Sequence, residues 1–74
     1  MVKLDCSGHL CPVPILMTEE RMKEVGVGEV LEVEFTDPGA GPDLRAWCRA
    51  AHHEMLDVRN DRKKFFAYIR KQGP

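Results

Sequence analysis

No stretch of this chain approaches the roughly 20 consecutive apolar residues that a membrane-spanning helix needs, and the opening Met1-Val2-Lys3-Leu4-Asp5 has no signal-peptide h-region. A cytoplasmic protein is therefore expected. Internal repeats and low-complexity tracts are also missing. There is no excess of basic charge: the formal net charge of −1 lacks the strongly basic footprint of a dedicated nucleic-acid binder. The 3 cysteines fall short of the even count that a disulfide framework in a small secreted domain uses. Unpaired thiols in a reducing compartment are the reading that follows.

What is present fits an ordinary soluble domain, 43% hydrophobic and 31% charged. A chain of 74 residues makes one domain, 1–74, with 72–74 expected as a loose tail. At this length it buries about 60–65% of its unfolded surface, enough for one layered core. Charge is uneven along it. Glu19, Glu20, Glu24, Glu29, Glu32 and Glu34 make the first half acidic, whereas Arg59, Arg62, Lys63, Lys64, Arg70 and Lys71 make the end basic. A solvated surface is the plainer reading of that asymmetry. A docking patch for an acidic partner or RNA is the alternative.

Hydrophobic periodicity sets out six elements. Val2, Leu4 and Cys6 alternate with polar residues as a strand over 2–6. A helix from Pro12 to about Val25 would turn Ile15, Leu16, Met22 and Val25 inward, with Gly26 as its C-terminal cap. Val30 to Thr36 is the clearest strand, with Leu31, Val33 and Phe35 on one face and Glu32 and Glu34 on the other. The turn-rich Asp37 to Pro42 leads to a second helix over about Asp43 to His52, with Leu44, Trp47, Cys48 and Ala51 as its inner stripe. Met55 to Arg59, with Leu56 and Val58 on the core side, and Phe65 to Arg70, with Phe65, Ala67 and Ile69 inside, form a hairpin around Asn60 to Lys63. The order β-α-β-α-β-β predicts right-handed crossovers that place both helices on one face of a four-stranded mixed sheet, a two-layer α/β sandwich. Phe66 and Tyr68, on the other face of the last strand, would support at most a weak dimer; otherwise the chain is expected to be a monomer.

The chemistry concentrates in Ser7-Gly8-His9-Leu10-Cys11-Pro12-Val13-Pro14, which sets a thiol between a strand and a helix start. Gly8 suits a turn, and Pro12 and Pro14 suit an opening helical turn whose N–H groups lack carbonyl partners anyway. The N–H groups of Val13 and Ile15 would then stay free beside Cys11, and the positive helix end would lower the thiol pKa below its ordinary value of about 8.5. Cys11 is thus the candidate reactive thiol. Cys48, on the stripe of the second helix, reads as a small core hydrophobe. Cys6 reads as core too, or as a resolving thiol for Cys11. His9, two residues before Cys11, is an exposed loop residue or an auxiliary that stabilises the thiolate; His53 would suit a helix C-terminus. Cys6, His9 and Cys11 do not make a four-ligand metal set. No metal or cofactor is expected, and no base held by a third group marks a self-contained active site.

These residues together resemble the TusA/SirA-like sulfur-carrier family, marked by C-P-x-P after a first strand. The matching positions are Leu4-Asp5, Gly8, Cys11-Pro12-Val13-Pro14, Gly28 to Leu31, Asp37-Pro38, Asp43, Cys48, His53-Glu54 and Ile69-Arg70-Lys71, in register throughout. The resemblance implies that Cys11 takes a persulfide sulfur from a cysteine desulfurase or rhodanese-like donor and passes it to an acceptor protein. tRNA thiolation, molybdenum-cofactor metabolism and sulfur oxidation are the family's destinations. Pro12 and Pro14 would shape the turn, with Gly8 and Val13 around them and Asp5, His9 and Cys6 as auxiliaries. His52 departs from the glycine that many members carry after the second helix, and Val13 from the polar residue of some. Two rival readings remain: a non-catalytic RNA- or protein-binding module using the basic hairpin from Arg59 to Arg70, and a thiol-redox protein pairing Cys6 with Cys11.

Overall fold

A computed structural model describes residues 1–73. Its elements are β1 (Val2–Cys6), α1 (Val13–Met22), β2 (Val30–Phe35), α2 (Ala40–Ala51), β3 (Glu54–Asp61) and β4 (Lys64–Arg70). The strands form one sheet in the order β1-β2-β4-β3. β1 runs parallel to β2, and β4 runs antiparallel to both of its neighbours. α1 packs on β1 and β2, α2 on β3 and β4, and the helices touch each other. The α/β sandwich expected from the element order is the fold observed.

Alternation in β2 organises the core. Leu31, Val33 and Phe35 are fully buried, and the register sets Leu31 opposite Ile69 and Val33 opposite Ala67. Period-2 geometry then fixes the inner face of β4 as Phe65, Ala67 and Ile69, and Phe65 stacks on Phe35 with ring centroids 5.3 Å apart. From the helix layer come Leu44 and Cys48 of α2 and the four-residue repeat Pro14, Thr18, Met22 of α1. Thr18 is tolerated inside because its hydroxyl donates to the Pro14 carbonyl at 2.7 Å. Burying a side chain such as Leu44 contributes about 1.5–3 kcal/mol.

Several boundaries and faces differ from those expected. α1 ends at Met22 rather than Val25 because the chain tightens there: Glu24 N–H donates to the Arg21 carbonyl at 2.9 Å, Val25 N–H to that of Met22 at 3.2 Å, and Lys71 Nζ also donates to Met22 at 3.0 Å. Val25 is still buried. Leu16 is 57% exposed, since it stands about 200° around the helix from Pro14 and Thr18, whose stripe faces the sheet. Gly26 is not the helix cap; its N–H donates to Glu29 Oε1 at 2.7 Å, and the left-handed position is Gly28, at φ +87°. α2 begins three residues before Asp43, with Pro42 inside its first turn, and ends on His52 in the left-handed region at φ +62°. In β3 a bulge between Met55 and Asp57 shifts the alternation, so Met55 and Val58 meet the core while Leu56 is 40% exposed. The hairpin turn shrinks to Arg62-Lys63.

At the chain end, where a loose tail is expected, Gln72 is tied down. Its backbone N–H donates to His53 Nδ1 and its amide to Glu54, both at 3.2 Å. Pro74 lies outside the described residues. No helix among the described residues is long and apolar enough to cross a membrane.

Candidate functional site

Because β1 and β2 are parallel neighbours, with Cys6 opposite Phe35 as their last pair, the loops that follow them emerge side by side. The first carries Cys11. Its entry is shaped by Gly8 at φ +80°, whose N–H donates to Thr36 Oγ1 at 2.9 Å. Ser7 fixes the turn before it: its N–H donates to Asp5 Oδ1 at 2.8 Å and its hydroxyl to Glu34 at 2.9 Å. Asp5 therefore acts as a turn former, and its carboxyl is held below the usual range chiefly by Ser7.

The second loop supplies two carboxylates. Asp37 accepts the Cys11 backbone N–H at 2.8 Å on one oxygen and the Gly39 N–H at 3.0 Å on the other, which clamps both loops and lowers its own pKa. Asp43, in the first turn of α2, accepts a hydrogen bond from Cys11 Sγ through Oδ2. That bond, with lesser contributions from desolvation and from the charges of Asp43 and Asp37, pushes the Cys11 thiol pKa up. A lowered value was expected from the helix end, and the geometry reverses it. Val13 N–H donates to the Leu10 carbonyl at 2.9 Å and Ile15 N–H to that of Pro12 at 3.1 Å, so neither is free. Pro12 stands at the N-cap and follows a cis Cys11–Pro12 bond; Pro14 is the second helical residue and is buried against the core.

The other expected auxiliaries are not brought to Cys11. Cys6 is fully buried in the core and its thiol is pushed up to about 11 by desolvation. His9 is exposed, and its one hydrogen bond among the described residues runs from its backbone N–H to the Cys6 carbonyl at 3.2 Å. Cys48 is likewise buried and raised to about 11. His53, half-buried, tilts against Trp47 at 5.3 Å and has a lowered pKa from desolvation first. Cys11 is exposed, and so are Leu10 (73% exposed), Val13 and Leu16, which flank it in sequence. The groove of about 470 Å³ between α2 and the β3–β4 hairpin is lined by Pro38 and Pro42 but not by Cys11. The Cys11 thiol is thus exposed outside that groove. In the sequence Asp37 and Asp43 are positions that match the family and carry no assigned role; the signal for that role is the parallel pairing of β1 and β2, which joins the loops after both strands.

A family model described as sulfurtransferase TusA matches residues 2–71. The chain belongs to the TusA family. Over 72 residues it is 40% identical to YrkF of Bacillus subtilis, a candidate sulfur carrier protein, covering 97% of this chain and 39% of that one. A second relative, from Aquifex aeolicus, is 41% identical and is covered over 34% of its length, so the chain spans little more than a third of these two proteins. Sulfur carrier protein TusA of Pseudomonas putida is 33% identical over 95% of this chain and 88% of its own. The crystal structure of a SirA-like protein from Desulfitobacterium hafniense superposes with a TM-score of 0.84 over 99% of this chain and 100% of that one, at 17% identity, which establishes a shared fold. Within this TusA-family fold, the C-P-x-P thiol is the exposed one of the three cysteines.

Proposed function

We propose that this TusA-family domain is a sulfur carrier whose Cys11 holds the transferred sulfur as a persulfide. The observation that carries this reading is the placement of the thiol. The Cys11 side chain is exposed, while its backbone is clamped by Asp37 from the neighbouring loop. An enclosed substrate pocket would suit turnover of a small molecule; an open, fixed thiol suits hand-over between proteins. The donor is a cysteine desulfurase or rhodanese-like protein, the acceptor a second protein, and the setting the cytoplasm. A persulfide accepted from one partner thiol and released to another needs no metal or cofactor of this chain.

The rival readings meet specific obstacles. Pairing Cys6 with Cys11 would require drawing a fully buried side chain out of the core. In the basic hairpin, Arg59 is engaged by Asp57 at 2.9 Å, Lys64 by Glu34 at 3.2 Å and Arg70 by Glu54 at 3.5 Å, so that of its cations only Arg62 and Lys63 at the turn are without an ion pair among the described residues. The carrier reading is tested by incubating the protein with a cysteine desulfurase and cysteine and measuring intact mass. One sulfur, removable by reductant, should be gained by the wild type and by no Cys11→Ser protein. A Cys11→Ser protein that still gains it overturns the assignment.

A further inference from the structure

The carboxylate on the sulfur has a consequence for how the sulfur moves. Asp43 approaches from α2, thirty-two residues away in sequence, and meets Cys11 Sγ directly. Asp37 is occupied by two backbone N–H groups, so it anchors the loop and leaves Asp43 as the carboxylate that addresses the thiol. Asp43 has no ion pair to a lysine or arginine among the described residues. It lies at the start of α2 and is exposed to solvent.

We infer that Asp43 is the acid–base partner of Cys11: it keeps the unloaded carrier in its thiol form and receives the Sγ proton when sulfur is accepted. This rests on Cys11 being the carrier thiol. In the loading step the donor presents a cysteine persulfide, donor–S–SH. A bond forms between Cys11 Sγ and the terminal sulfur, the donor's S–S bond breaks, and its electron pair leaves on the donor cysteine as a thiolate. The Sγ proton passes to Asp43 Oδ2, so one carboxylate is consumed and one thiolate produced, and charge is conserved. The transferred sulfur keeps its own hydrogen. The donor's inner sulfur is reduced as Sγ is oxidised to the persulfide level, with no outside oxidant, and the carboxylic proton then passes to solvent.

The arrangement makes the resting carrier a poor general nucleophile, because only the thiolate reacts with small electrophiles. It makes the same thiol competent in a docked complex, where the base is already in contact with the proton to be removed. The two properties should separate in a variant. Asp43→Asn removes the negative charge and offers a donor to the thiolate, so the Cys11 pKa falls. Alkylation of Cys11 by iodoacetamide below the thiol pKa should then speed up by about tenfold for each unit of fall, read as a shift of the pH–rate profile toward acid. Loading by a desulfurase at the same pH should slow instead. A side chain that merely props the loop would move both rates in one direction.

The experiment is the pH profile of Cys11 alkylation, by peptide mass, and the desulfurase loading rate for wild type, Asp43→Asn and Asp43→Ala, with folding checked by circular dichroism. Faster alkylation with slower loading in either folded variant supports the inference. An unchanged alkylation profile, or two rates that rise or fall together, overturns it, as does failure of both variants to fold, which would make Asp43 structural. Alkylation does not depend on sulfur carriage, so a carrier assignment that fails in Cys11→Ser is told apart from a failure here.

Discussion

Cys6 and Cys11 lie at the two ends of one short turn, and both thiols are raised above their ordinary pKa, yet for opposite reasons. Cys6 belongs to the core, where burial excludes water and makes ionisation costly. Cys11 belongs to the loop surface, where its thiol donates a hydrogen bond to a carboxylate from α2. The first thiol is inert because nothing can reach it. The second is exposed and is held in its thiol form by a contact with a carboxylate. A raised thiol pKa therefore does not distinguish a structural cysteine from a chemical one; exposure and the nature of the partner do.

The core side of that contrast breaks most visibly at Leu44. Leu44→Ala should cost about 2–5 kcal/mol in a denaturant melt, because the side chain is fully buried between α2 and the sheet. Cys11 should still accept sulfur in whatever fraction stays folded. Cys6→Ser sharpens the comparison at the thiols themselves. A hydroxyl there, left without a hydrogen-bond partner in the core, should cost about 1–3 kcal/mol, and the loading stoichiometry of the folded protein should not change.

Alkaline pH gives the most graded test. The folded pKa values of Cys6 and Cys48 lie near 11, above the ordinary thiol value, so their protonated forms favour folding. That contribution is complete below pH 9 and is lost as pH rises from there toward about 11. The melting temperature should fall through that window, and the fall should be shallower in Cys6→Ala, which has one ionisable core group fewer.

Much of the fold was legible because β2 alternates without a break and each helix carries its own apolar stripe. Once Leu31, Val33 and Phe35 face inward, antiparallel pairing settles the inner face of β4 as well. The faces of Leu16 and Leu56 were not legible, and in each case a shift of phase explains it. Pro14 and Thr18 define the α1 stripe, and the buried proline and hydroxyl are residues that hydrophobicity alone does not nominate. The β3 bulge adds a residue that no turn signal announces. At the site, Cys11 and its prolines stood out in the sequence because they are local. Asp37 and Asp43 showed only as positions matching the family, without a role at the thiol, since their partnership with it exists only after β1 and β2 pair. The expectation of a low thiol pKa failed for the same reason: it weighed the helix end that sequence shows and could not weigh a carboxylate from another element.

The central claim is that, of three thiols in one small domain, Cys11 carries the sulfur. It is tested most directly by loading the wild-type protein with a cysteine desulfurase and cysteine, trapping persulfides with an alkylating agent, and mapping the extra sulfur by peptide mass. The added sulfur should appear on the Cys11 peptide, with the Cys6 and Cys48 peptides unmodified. Sulfur found on Cys6 or Cys48 in folded protein would contradict it.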